Sequence, residues 1–124
     1  MKPIALSLDD PRAQDPALTG GKGATLARIT AAGQPVPRGF VVATTALHTD
    51  AIDAIARTFA NLVPSDLEAL QEASDRVRAT IAADLTADLS TQILTAYNAL
   101  GAEAVSVRSS STVEDLAQAS FAGQ

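Results

Sequence analysis

Apolar positions change their rhythm four times along this chain. Residues 3–8, Pro3-Ile4-Ala5-Leu6-Ser7-Leu8, alternate loosely and predict a first strand, which Asp9-Asp10-Pro11 ends. A polar loop runs on through Asp15-Pro16. Leu26 and Ile29, with alanines at 24, 27, 31 and 32, predict a short helix starting at about Gly23. Gly33 suits its C-terminal cap, and Pro35 and Pro37 prevent continuation. Phe40-Val41-Val42-Ala43-Thr44 then reads as a short buried strand.

From Thr45 to Leu100 the period is helical. Ile52, Ile55, Phe59 and Leu62 share one face of a helix that Pro64 ends. Ser65-Asp66-Leu67-Glu68 reads as a capping box opening a second helix lined by Leu67, Leu70, Val77 and Ile81. Leu89, Ile93, Tyr97 and Leu100 line a third, capped by Thr86 or Ser90 and ending at Gly101. Ala104 to Val107 returns to strand character. The pattern is β-α-β, a helical insertion, then a strand.

Composition narrows the function classes. The chain has 124 residues, 47% of them hydrophobic, enough for one domain or part of a larger one. With four aromatics (Phe40, Phe59, Tyr97, Phe121), the core must be built from Ala, Leu, Ile and Val. The net charge of −5 and the scatter of the arginines argue against nucleic-acid binding, which needs clustered positive charge. No apolar run is long enough to span a membrane, and no secretory signal is visible. Cysteine is absent, so disulfides and thiolate metal sites are excluded.

Two motifs carry candidate chemistry. Thr19-Gly20-Gly21-Lys22-Gly23-Ala24-Thr25-Leu26 sets one of only two lysines among three glycines. Glycine amides at Gly21 and Gly23 can approach a phosphate oxygen closely, a helix starting there adds unpaired amides, and Lys22 adds a full charge. The spacing fits neither a Walker loop nor the dinucleotide fingerprint. A flexible loop with a solvated lysine explains the same residues. The second motif, Val105-Ser106-Val107-Arg108-Ser109-Ser110-Ser111-Thr112-Val113-Glu114-Asp115, places Arg108 at a strand end, where its fork of donors suits a phosphate. Arg108 could equally pair with Glu114 or Asp115. Ser111 with Glu114, or Thr112 with Asp115, could simply cap a helix.

Taken together, these blocks, with Ala32-Gly33-Gln34-Pro35-Val36-Pro37-Arg38-Gly39-Phe40-Val41-Val42 and Ala119-Ser120-Phe121-Ala122-Gly123-Gln124, resemble the N-terminal nucleotide-binding region of the phosphoenolpyruvate synthase and pyruvate phosphate dikinase family. Rifampicin phosphotransferases share this region. The resemblance implies an α+β fold, the N-terminal part of an ATP-grasp domain. Residues 1–44 would be its phosphate-loop part, 45–101 a helical insertion, and 102–124 a second phosphate-contact strand and turn.

By the same resemblance, Lys22 and Arg108 contact the phosphates of ATP and Gly123 approaches the nucleotide, with Gly21 and Gly23 beside them. The implied reaction is that of a pyruvate, water dikinase, by way of a phosphohistidine. A pyruvate phosphate dikinase, a rifampicin phosphotransferase and a non-catalytic nucleotide-binding module are the alternatives. Mg²⁺ is expected, but the family's magnesium carboxylates, adenine pocket, mobile histidine domain and acceptor barrel lie beyond residue 124. His48, the one histidine, lacks the phosphohistidine context and reads as structural. The expectation is a cytoplasmic fragment, inactive alone, whose final segment, Ser120 to Gln124, leaves a strand edge open to self-association or a complementing chain.

Overall fold

Asp-Pro pairs and small side chains shape the first unit of this fold more than large apolar residues do. The computed structural model describes residues 3–112, an α+β chain with four helices and a two-stranded sheet. It divides into two compact units, residues 3–46 with 91–112, and Leu47–Ser90.

In the first unit, β1 (Ala5–Ser7) alternates as a half-buried strand should, with Leu6 inside and Ser7 outside. It pairs antiparallel with β2 (Phe40–Val42), Leu6 opposite Val41. The loop expected after β1 is a 3-10 turn, Pro11–Gln14, whose Asp10 cap accepts from the Arg12 amide at 2.9 Å. The first helix, α1, spans Pro16–Ala31, starting well before Gly23. Asp15 caps it, accepting from the Ala17 amide at 2.9 Å, and Pro16 stands where a missing N–H costs nothing. Gly20 breaks the helix with φ 71° and ψ 172°, leaving two helical pieces joined at a bend.

The buried stripe of α1 is Thr19, Gly20, Gly23, Ala24 and Ala27. The expected apolar pair, Leu26 and Ile29, is instead exposed, at 38% and 39%. Small side chains let the helix backbone sit close to the sheet: a Cβ on Gly23 would lie 3.1 Å from the Val41 Cγ2. The core beneath is Leu6, Leu8, Ala13, Ala27 and Ala43, with Leu18, Val36 and Val41 against it. Gly33 closes α1 as expected. Its φ of 78° turns the chain so that its own amide bonds to the Thr30 carbonyl and that of Gln34 to the Ile29 carbonyl, the paired bonds of a Schellman motif.

The second unit packs α2 (Thr49–Phe59) on α3 (Leu67–Asp84). Its buried positions on these two helices are Ala51 and Ala73. The larger residues of the expected stripes are only partly covered, and Leu67 is 78% exposed. Asp66, not Ser65, caps α3, accepting from the Ala69 amide at 3.0 Å. The His48 amide and Nδ1 meet the Asp84 carboxylate at 2.8 and 2.7 Å, tying the start of α2 to the end of α3. These two bonds hold the carboxyl of Asp84 below its usual range.

The last helix, α4 (Ala87–Leu100), has Thr86 as its cap, the hydroxyl accepting from the Leu89 amide at 3.1 Å. Within the first unit, Gln92 Oε1 accepts from the Ile4 amide at 2.8 Å and Arg38 donates to the Ala99 carbonyl at 3.0 Å. The strand expected over Ala104–Val107 is absent. Among the described residues no strand pairs with it, and Val107 is 91% exposed, so its alternating valines have neither a ladder nor a core to join. The capping partners Glu114 and Asp115, the Gly123 turn and the Ser120–Gln124 edge lie outside the described residues.

Candidate functional site

The bend at Gly20 is where the two motifs meet. Asp15-Pro16 starts a helix, so Gly20 falls inside the first turns, where glycine weakens a regular helix. The chain gives up helical geometry there instead. Thr19, just before the bend, is buried, and its hydroxyl donates to the Ala13 carbonyl at 2.7 Å and lies 3.0 Å from the Asp15 carbonyl. That contact anchors the first helical piece to the 3-10 turn.

Residues 109–111 lie directly on this bend. The Gly21 amide donates to the Ser111 carbonyl at 3.0 Å, and the Gly23 amide to Ser110 Oγ at 2.9 Å. Ser110 Oγ in turn donates to the Thr19 carbonyl. The Lys22 ammonium donates to the Ser109 carbonyl at 3.2 Å. A Cβ on Gly20 would stand 2.2 Å from the Ser110 carbonyl oxygen, closer than any real contact, so only glycine lets the segment approach this far.

The structure therefore brings Lys22 to the residue next to Arg108, across 87 positions of sequence. Lys22 is half-buried and Arg108 is exposed. Gly21 and Gly23 do not hold their amides toward an open point, as an anion cradle at those positions would need. Both amides donate to oxygens of the serine segment, because its carbonyl and hydroxyl groups offer acceptors at the same distance a phosphate would. Ser109, Ser110 and Ser111 are likewise not loose hydroxyls behind Arg108; they are the contact that joins the motifs.

The contributions of Thr19, Gly20 and Ser110 escaped the sequence reading. The signal was present in Asp15-Pro16, a helix start that would have placed Gly20 within a helix and so marked it as a bend. Among the described residues, no group of three or more His, Asp or Glu side chains is placed to hold a metal ion. None of their helices is long and apolar enough to cross a membrane.

Residues 16–124 match the model of the pyruvate phosphate dikinase, AMP/ATP-binding domain. The chain belongs to this family. It is 41% identical to a probable phosphoenolpyruvate synthase of Methanocaldococcus jannaschii, over 94% of this chain and 11% of that protein. A phosphoenolpyruvate synthase of Aquifex aeolicus is 34% identical over 99% of this chain and 16% of its own length. A rifampicin phosphotransferase of Streptomyces sviceus is 37% identical over 87% of this chain and 13% of its own. The chain thus spans between 11% and 19% of the length of the curated relatives it resembles. No solved structure matches it. The bend and the serine segment both fall within the part of the pyruvate phosphate dikinase family domain present here.

Proposed function

We propose that this chain is the ATP-binding part of a cytoplasmic phosphotransferase of the pyruvate, water dikinase type, within an ATP-grasp domain. Residues 1–44 and 102–124 supply its phosphate contacts, and residues 45–101 form a helical insertion between them. The overall reaction is ATP, pyruvate and water giving phosphoenolpyruvate, AMP and phosphate. The observation that supports the reading is the 3.2 Å contact from the Lys22 ammonium to the Ser109 carbonyl, which joins Lys22 to the residue that follows Arg108 in the second motif.

Each cation has its own part. Lys22 supplies a compact point charge for a phosphate oxygen, while Arg108 offers a planar fork. Together they offset the charge on the triphosphate, whose terminal phosphoryl groups ATP supplies when bound. Gly21 and Gly23 serve by holding the serine segment, not by cradling the anion. Gly123 adds its backbone near the nucleotide. Metal-binding, phosphohistidine and acceptor functions belong to other parts of such an enzyme, so the isolated chain is expected to bind without turnover.

Pyruvate is the proposed acceptor because phosphoenolpyruvate synthases predominate among the relatives. The Streptomyces relative favours, as a second reading, an antibiotic acceptor. Calorimetric titration of MgATP into the chain tests the binding role. Wild type should bind, and Lys22→Ala and Arg108→Ala should each lose roughly tenfold or more in affinity, the worth of a charge-assisted contact. No binding by wild type, or unchanged binding by both variants, refutes the reading.

A further inference from the structure

We infer that Ser110 is the positioning residue of this phosphate-contact pair, acting through a hydroxyl that clamps the glycine bend; the inference rests on the nucleotide reading above. One oxygen does two tasks. It accepts from the Gly23 amide at 2.9 Å and donates to the Thr19 carbonyl, so it bridges the two helical pieces on either side of Gly20. Of the uncharged side chains, only a hydroxyl can accept and donate in this way from a single short-chain atom.

The clamp lies close in sequence to Arg108 and to the residue that Lys22 contacts. Ser109, whose carbonyl receives Lys22, is the preceding residue, and Arg108 is two residues before Ser110. Two residues span at most about 7 Å of chain, so fixing Ser110 fixes the place from which Arg108 reaches. The missing Cβ of Gly20 sets how deep the segment sits, since its backbone passes where that atom would be. The Gly21 amide, donating to the Ser111 carbonyl, fixes the far side. Without the hydroxyl, the Thr19 carbonyl and Gly23 amide lose their shared partner, and the segment bearing Arg108 is no longer registered against Lys22.

The test is MgATP titration of the 124-residue chain, well below each variant's melting midpoint, alongside amide exchange at Gly21 and Gly23. Ser110→Ala should weaken MgATP binding roughly tenfold and speed exchange at Gly23, as expected when a hydrogen bond is removed and its partner stranded. Ser110→Thr, which keeps the hydroxyl, should restore affinity to within about threefold of wild type. In an Arg108→Ala background, Ser110→Ala should cost little more, because the clamp acts through Arg108. A role in stability alone would not show that dependence.

Unchanged affinity or unchanged Gly23 exchange in Ser110→Ala overturns the inference. So does a loss in Ser110→Thr as large as that in Ser110→Ala, or an equal loss with and without Arg108. Each of those results leaves the nucleotide reading standing if Lys22→Ala and Arg108→Ala still impair binding. Failure of wild type to bind, or indifference to both cation variants, removes the nucleotide reading and this inference together.

Discussion

A single missing side-chain carbon at position 20 decides how closely the two motifs approach. Its φ of 71° is one most residues avoid, and a Cβ there would overlap the Ser110 carbonyl. Gly33 offers a control: its φ is 78°, yet a Cβ would meet nothing within 4 Å. Gly33→Ala should therefore cost only the conformational penalty, about 1 kcal/mol. Gly20→Ala adds the expulsion of the serine segment, and about 3 kcal/mol is expected. Urea denaturation of both variants checks the difference; equal losses would show that the segment does not bear on the bend. Thr19 allows a second test at this scale. Thr19→Val keeps the shape but removes the hydroxyl that holds the Ala13 carbonyl, and should lose about 1–2 kcal/mol by the same assay.

At the level of elements, end signals proved more reliable than stripes. The capping box points to Ser65 as the opening of α3, but the structure gives the cap to the next residue, Asp66, whose carboxylate reaches the amide three residues on. Asp66→Ala should cost about 1 kcal/mol in a thermal or urea melt, whereas Ser65→Ala should stay near zero. The reverse order would move the helix start by one residue. Proline and glycine signals were legible for the same reason: each acts through its own backbone, without needing a distant partner. Gly33 and Gly101 end helices where expected. The stripes mislead because apolar size does not mark burial in these helices. In α1 the buried face is glycine, alanine and threonine, and Leu26 and Ile29 face outward. The valines at 105 and 107 alternate as in a strand, but alternation cannot supply the neighbour that a strand requires. Both candidate cations were legible from residue type and motif. The bonds that join the two motifs were not, because they depend on a serine hydroxyl and on carbonyls 87 to 91 residues apart in sequence.

Across the whole molecule, each unit carries a carboxylate held ionised by a local donor, and this makes acid sensitivity a property that can be divided. In the first unit, hydrogen bonds from Arg12, its side chain above all, keep Asp10 below the usual carboxylate range, with a guanidinium contact at 2.6 Å. In the second unit, the His48 amide and ring do the same for Asp84. A folded-state pKa below the unfolded one means that the unfolded chain binds more protons as pH falls through the carboxylate range. The stabilisation is therefore complete above that range and is lost below it. Denaturation midpoints should be steady near neutrality and fall as the solution approaches about pH 3. Asp84→Asn should lower the midpoint at neutral pH and shrink the fall on acidification, and Asp10→Asn should do likewise for its own share. The pairs share no partner and belong to different units, so their effects should add. Combining Asp10→Asn with Asp84→Asn should then give the flattest pH profile of the set. If the double variant instead loses as much stability in acid as wild type does, the acid-sensitive carboxylates lie elsewhere in the chain.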